Sequence, residues 1–399
     1  MDSPRETVLI TGGGGYFGHR LGCTLYQKGF NVILFDVQKP VQEVPEGIRF
    51  IQGDVRNLSE QEDMFTDVSC VFHTASYGMS GREQLQRKMI DDINVKGTEN
   101  VIQVCINMGV PRFVYTSTFN VVFGGQVIEN GDESLPYFPL NLHPDHYSRT
   151  KAIAEMIVLK ANNSKLKSNN GLLRTCALRP AGIYGPGEQR HLPRVVSCLE
   201  QGLFKFQYGD PKNLVQYVHI DNLVSAHILA AEALKSEKKH VAAGQPYFIS
   251  DAEPINSFEF FRPLVEGLGY KFPTVRLPLI LIYFFAYITE WVHFVINPIY
   301  NFQPFLTRAE VYKTGVTHYF SLEKAKRELG YEPQDFTLNE VVEWFKSHGR
   351  VKRVKKDNFL WDIIFIFMLI VVLLSWLPTV VGRILESQGM FVKGTVNSL

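Results

Sequence analysis

Four consecutive glycines, set between a short apolar run and an amphipathic one, constrain this chain more than any other feature of it. Thr7 to Thr11 reads as a buried strand and Phe17 to Lys28 as a helix. Gly12, Gly15 and Gly18 stand at the junction with the spacing G-x-x-G-x-x-G. A strand that turns at once into a helix needs backbone conformations closed to most residues. In such a turn the first two glycines let the main chain approach a diphosphate, and the third lets helix and strand pack closely. The helix N-terminus then offers unpaired N–H groups and a partial positive charge to an anion. Tyr16 and Phe17 belong to the same turn and are expected to line it. Asp36 ends the next strand, Asn31–Asp36. A carboxylate there accepts hydrogen bonds from an adenosine ribose and repels a 2′-phosphate, so the pattern predicts NAD rather than NADP. Lys39, close by, works against that choice. Asp54 and Val55 close a third strand, Ile48–Asp54, where a carboxylate can meet the adenine amino group.

Strand-like and helix-like runs keep alternating through the first half. Helices are expected over Glu60–Phe65, Asp91–Met108 and Tyr147–Asn162, and strands over Ser69–Ala75, Arg112–Ser117 and Leu173–Arg179. This alternation predicts an α/β fold of Rossmann type, a doubly wound parallel sheet with helices on both faces. From about Pro180 the pattern loosens into Gly- and Pro-rich loops, expected as a smaller C-terminal substrate lobe. Gln245–Ser250 is placed back in the main sheet. The expected organisation is a dinucleotide-binding domain at 1–180, a substrate lobe at 181–349, a basic linker at 350–362, a transmembrane helix at 363–381 and a tail at 382–399.

The transmembrane helix rests on Ile363 to Val381, 19 residues without a charge. At 1.5 Å per residue such a run is ~28 Å long, about the thickness of a bilayer core. Arg350, Lys352, Arg353, Lys355 and Lys356 precede it, and only Arg383 and Lys393 are basic beyond it. That asymmetry puts the body of the chain on the cytosolic side. The N-terminus lacks the basic segment and long apolar run of a signal peptide. A second apolar stretch, Leu277–Tyr300, holds Glu290 and His293, and its charge-free core, Leu279–Thr289, is 11 residues long. That is short for a span. Three readings stay open: a second span at 279–299, a helix lying in the membrane interface, and a buried helix beside a lipophilic pocket.

Composition narrows the function. Lys plus Arg number 41 and Asp plus Glu 40, so no overall basic field exists to grip nucleic acid. The five cysteines are scattered and never spaced as C-x-x-C, and no metal-ligand cluster is visible. The remaining chemistry lies in Tyr147 and Lys151. Spacing i, i+4 puts phenol and ammonium on one helix face. A free tyrosine, with a pKa near 10, is too weak an acid to serve as a base at neutral pH. A neighbouring cation favours the phenolate, which can take the proton of a substrate hydroxyl while hydride leaves its carbon. The hydroxyl cluster Tyr115-Thr116-Ser117-Thr118 closes a strand at the end where open α/β sheets bind ligands. Thr118 is the expected hydroxyl that positions the substrate oxygen, with Ser117 as the second choice.

The segments TGGGGYFG, GDV (53–55), VFHTAS (71–76), NVKGT (94–98), YTST (115–118), YSRTK (147–151) and LRPAGIYGPGE (178–188) stand in the order of the extended short-chain dehydrogenases/reductases. Within that group, the chain most resembles the 3β-hydroxysteroid dehydrogenase/isomerase branch, over roughly residues 7–345. The resemblance implies a membrane-bound NAD-dependent oxidoreductase that converts the 3β-hydroxyl of a sterol or steroid to a ketone. It makes Tyr147 the proton acceptor and Lys151 the residue that binds the nicotinamide ribose. Thr118 stands where the family has Ser or Thr. Ala75, Thr116 and Pro180 fall among the cofactor-binding positions, with Pro180 flanking the nicotinamide. The resemblance also implies an endoplasmic reticulum membrane and a homodimer through helices 91–108 and 147–162. His219, His227 and His191 are expected to be structural, and Asn94 to stabilise the site or the sheet. Two alternatives remain at this stage. One is a nucleotide-sugar epimerase or dehydratase that uses Arg190 and Arg194 for a diphosphate, and the other is a non-catalytic NAD-binding scaffold.

Overall fold

In this computed structural model, residues 5–352 are described apart from 59–61, 80–82, 85, 169, 252 and 297–305. The first half runs β1 (Thr7–Thr11), α1 (Tyr16–Gln27), β2 (Asn31–Asp36), β3 (Arg49–Gln52), β4 (Val68–His73), α2 (Arg87–Asp91), α3 (Thr98–Met108), β5 (Arg112–Thr116), β6 (Ile128–Gly131), α4 (His146–Lys160) and β7 (Arg174–Pro180). The second half adds β8 (Gly182–Tyr184), α5 (His191–Glu200), β9 (Gln207–Tyr208), β10 (Tyr217–His219), α6 (Ile220–Ala233) and β11 (Pro246–Ile249). It ends with α7 (Ser257–Gly267), β12 (Arg276–Leu277), α8 (Leu279–Ile296), α9 (Arg308–Gly315), β13 (His318–Phe320), α10 (Glu323–Leu329) and α11 (Asn339–Ser347).

Seven strands form one sheet in the order β11-β7-β5-β4-β1-β2-β3, and each neighbouring pair is parallel. This is the doubly wound arrangement that the alternation predicts. Strand order reverses between β1 and β4, which opens a crevice at the C-terminal strand ends. The strands read as near-continuous apolar runs because both faces are covered. On one face Leu21 and Leu25 of α1 meet Leu223 and Ala230 of α6. On the other, Val101 and Ile102 of α3 meet Ala154 and Val158 of α4. The segment expected to rejoin the sheet does so, as β11 pairs with β7 from Pro246↔Ala177 to Ile249↔Pro180.

Two expectations change. The long helix predicted over Asp91–Met108 is broken, because a π-helical segment at Asp92–Gly97 lies between α2 and α3. Such wide turns persist where a side chain must be re-aimed, and here that side chain is Asn94. The Glu60–Phe65 helix is a 3₁₀ turn, Glu62–Phe65, over its described part.

The chain packs as one unit up to Val351, and a second unit begins at Lys352. The predicted helix at 363–381 lies outside the described residues. Among the described residues no helix is long and apolar enough to cross a membrane, and the expected alternative of a second span at 279–299 runs in part over residues outside the described ones. α8 buries Ile282 and Ala286 against its own unit, and its Glu290 is paired with Arg308 at 2.7 Å.

Candidate active site

The glycine turn forms as its spacing demands. Gly12 adopts φ +72°, and the Ala75 backbone packs so close that a Cβ at Gly12 would lie 2.7 Å from the Ala75 nitrogen. A Cβ on Gly18 would drive into the Gly12 carbonyl, so the third glycine does let helix and strand touch. The sequence reading missed Gly14. A Cβ there would strike the Gln38 carbonyl, and its N–H donates to Asp36 Oδ2 at 3.0 Å. The run of four glycines was the available signal, since the three-glycine spacing alone leaves Gly14 unexplained.

Asp36 also accepts from the Gln38 N–H at 3.1 Å. Burial pushes its carboxyl up, against the pull of the surrounding backbone N–H groups. α1 starts at Gly15 with no side-chain cap and no acid in its first turn, so the first N–H groups stay open to an anion. A bare helix start, a turn without side chains and a carboxylate one strand away together fit a dinucleotide diphosphate and ribose. Tyr16 and Phe17 open the helix, and Phe17 is buried against His227 at 4.6 Å between rings. Val55 is buried under Gly97. Asp54 is already engaged, because Arg56 holds it at 2.5 Å. An adenine here would therefore meet an ion pair rather than a lone carboxylate.

The second group of candidate residues lies where α4 meets the end of β5. Asp145 caps α4 by accepting from the Ser148 N–H at 2.7 Å. Lys151 is 2 % exposed. Its ammonium donates to the Thr116 carbonyl at 2.5 Å and stands 4.1 Å from the centre of the Tyr115 ring. Burial pushes the lysine down to about 7, and Glu155 pulls it back up. Tyr147 is also buried, and burial pushes its phenol up to about 12. Arg190 works against that rise, and the Ser76 side chain hydrogen-bonds the phenol. This refines the sequence expectation. In the chain alone, Arg190 from the loop before α5 is the cation acting on the phenol, while Lys151 turns to the strand end.

The structure separates Thr118 from Ser117. Ser117 donates to Glu155 inside the protein, so its hydroxyl is used. Thr118 accepts from the Asn120 N–H at 3.3 Å and from Asn120 Nδ2 at 3.0 Å. Its own proton is left to donate, as a group that orients a substrate oxygen must. Thr116 contributes its carbonyl to Lys151, and its hydroxyl meets His227 Nε2 at 2.8 Å. Pro180 ends β7, and the next residue, Ala181, donates back to the Ile249 carbonyl at 2.9 Å.

The histidines take structural positions. His227 Nδ1 lies 2.8 Å from the Leu223 carbonyl, and burial holds the ring down at about 3. His219 stacks on Phe336 at 3.7 Å between centroids. His191 opens α5 and is half-buried. Asn94, re-aimed by the π turn, accepts from the Tyr77 N–H at 2.8 Å. It donates to the Tyr77 carbonyl and the Thr150 hydroxyl, each at 3.0 Å. It therefore ties the loop after β4 to α4. Among the described residues no group of His, Cys, Asp or Glu could hold a metal ion.

The rim is built from distant segments. Arg190 pairs with Glu83 at 2.8 Å, and Arg194 pairs with Glu310. Both arginines singled out for a diphosphate thus already carry a carboxylate partner.

Residues 9–279 match the 3-beta hydroxysteroid dehydrogenase/isomerase family. Short-chain dehydrogenase/reductase family 42E member 1 of Xenopus laevis is 69% identical over 378 residues, covering 94% of this chain and 98% of that protein. The 3beta-hydroxysteroid-dehydrogenase/decarboxylase isoform 1 of Arabidopsis thaliana is 38% identical over 82% of this chain and 75% of its own length. Among solved structures, gox2253 superposes with a TM-score of 0.68 at 23% identity, covering 87% of this chain and 100% of that one. At that identity the likeness speaks for the fold alone.

Proposed function

The chain belongs to the 3-beta hydroxysteroid dehydrogenase/isomerase family, and on that premise we propose that it is a membrane-bound, NAD-dependent oxidoreductase that oxidises the 3β-hydroxyl of a sterol. One observation supports the reading: α4 carries buried Tyr147 and buried Lys151, Lys151 is tied to the C-terminal end of β5 at the Thr116 carbonyl, two residues before Thr118, and the same sheet carries a glycine turn shaped for a dinucleotide. NAD, when bound, supplies the hydride acceptor. Asp36 selects it through the ribose hydroxyls. Thr118 donates to the carbinol oxygen and orients it. Tyr147 takes the hydroxyl proton as the C–H bond breaks. Its phenol starts near 12 with Arg190 already lowering it, and Lys151 is assigned the rest of the task once NAD is bound, so that the phenol reaches a working range at neutral pH.

The membrane part of the proposal rests on the uncharged run at 363–381 and the basic residues before it. α8 adds an apolar face, because Ile280, Tyr287 and Trp291 are exposed at spacings that share one side of a helix. That face suits contact with the membrane interface, from which a sterol is reached directly. A homodimer through α3 and α4 stays part of the proposal on family grounds.

The epimerase alternative loses support at the rim, where Arg190 and Arg194 already pair with Glu83 and Glu310. The scaffold alternative is opposed by the retained Tyr147, Lys151 and Thr118.

The test is NADH formation by the purified full chain with a panel of 3β-hydroxysterols. The panel includes one bearing a carboxylate next to the carbinol, as the name of the Arabidopsis relative suggests. Turnover of a sterol is the expected result. Turnover of a nucleotide sugar with none of any sterol overturns the proposal.

A further inference from the structure

Glu155 lies two turns below Tyr147 on α4 and has 0 % exposure. A fully buried carboxylate needs several donors to be tolerated. Glu155 has them from three separate parts of the chain. Arg179 of β7 donates through Nε at 3.0 Å and Nη2 at 2.6 Å. The Tyr137 hydroxyl donates at 2.8 Å, and Ser117 donates to the second carboxylate oxygen. Tyr147, Lys151 and Glu155 follow at i, i+4 and i+8 and share one helix face. Lys151 clamps the Thr116 carbonyl and Glu155 clamps the Ser117 hydroxyl. Two consecutive residues of the strand end are thus stitched to two consecutive turns of the helix, and Thr118 comes next.

We infer that Glu155 is a positioning residue of the proton-transfer site, supplying the counter-charge that keeps buried Lys151 an ammonium and fixing, through Ser117, the turn that presents Thr118. The inference rests on the proposed reaction and adds to it a residue that does not touch the substrate.

The surroundings of Lys151 leave this task to Glu155. On α4 itself it has Tyr147 and Glu155. From β5 comes the Tyr115 ring. From β4 comes His73, a ring held uncharged by burial and by Lys151. From α6 comes His227, also uncharged, reaching Thr116. The Tyr137 hydroxyl and the Arg179 guanidinium approach Glu155 rather than the lysine. Glu155 is the carboxylate that raises Lys151 against the push of burial.

The experiment is an NMR titration of the full chain with 13C at lysine Cε, with the Lys151 signal assigned by its loss in Lys151→Arg. In the parent, the midpoint should lie well below that of an ordinary lysine. In Glu155→Gln it should fall by a further pH unit or more, about a tenfold loss of ammonium at a given pH. The paired change Glu155→Gln with Arg179→Gln leaves neither charge unpartnered and should show a smaller movement in the same direction, so the question survives poor folding of the single variant. The alkaline limb of turnover should move down with the midpoint. Ser117→Ala should keep the midpoint while lowering kcat about tenfold, with KM for NAD unchanged.

An unchanged midpoint in both Glu155 variants overturns the counter-charge role, and parental kcat in Ser117→Ala overturns the positioning role. The titration needs no substrate. A lowered midpoint without sterol turnover therefore sinks the proposed reaction and keeps this inference, while sterol turnover with identical midpoints does the reverse.

Discussion

The cofactor side and the substrate side of the crevice are made in opposite ways. On the cofactor side, Gly12 to Gly18 and Asp36 lie within 25 residues of one another and act through backbone approach. On the side proposed for the substrate, Glu83, Arg190, Arg194 and Glu310 come from segments separated by more than 100 positions and are joined through side-chain charge. The first is steric and admits almost no variation, because a Cβ either fits or does not. The second is electrostatic, partly exposed, and open to exchange without loss of fold. A single family can keep one cofactor and vary its substrates when the two tasks are divided in this way.

The largest effect should come where the two sides meet. Tyr147→Phe removes the proton acceptor and should lower kcat about 10³-fold, a magnitude typical of general base loss. NADH affinity, read by fluorescence titration, should stay at the parental value. A parental rate in this variant breaks the assignment of Tyr147 and revives the scaffold reading.

Gly14→Ala is the corresponding change on the cofactor side. Its Cβ meets the Gln38 carbonyl, so the turn must open and Asp36 must lose its N–H partner. NADH should bind at least about 100-fold more weakly, while thermal unfolding changes by only about 1–3 kcal/mol of overpacking strain. Normal NADH binding would mean that the turn has slack the structure does not show.

Arg190→Met tests the rim. Arg190 lowers the Tyr147 phenol, so its removal raises that pKa. The phenolate then forms only at higher pH, and the acidic limb of kcat/KM for oxidation should move upward. At pH 7 the rate should drop about tenfold for each pH unit by which that limb moves. A profile that stays in place makes Arg190 a structural partner of Glu83 only.

The smallest effect is at the cap of α4. Burial alone raises Asp145, but Lys313 and the Ser148 bonds outweigh it and leave the carboxyl below its ordinary value. A depressed folded pKa gives stability that is present above the unfolded value near 3.9 and is lost as pH falls through the folded one. Asp145→Asn should therefore cost about 1 kcal/mol at pH 7. The gap from the parent should close as the pH falls through the depressed folded-state value, as read by denaturant unfolding at each pH.

Much of this molecule could be read before its structure. The strand Thr7–Thr11, the glycine turn, Asp36 and the Tyr147–Lys151 pair follow from local pattern, because strand and helix periods and backbone sterics are properties of neighbouring residues. The return of Pro246–Ile249 to the sheet was also visible, as a lone apolar strand must pair somewhere. The π turn at Asp92–Gly97 was not visible, since helix periodicity does not show one extra residue in a turn that is held open by Asn94 contacts to Tyr77 and Thr150.

What sets Thr118 apart from Ser117 is visible only in three dimensions. Both are small hydroxyls on one strand end, and what distinguishes them is a carboxylate 38 positions away in the chain. The same holds for Glu155 and Arg179, and for the arginines at the rim. Charge acts through space at a range set by burial, not by sequence separation, so their partners become known only when the sheet brings β5, β7 and α4 together.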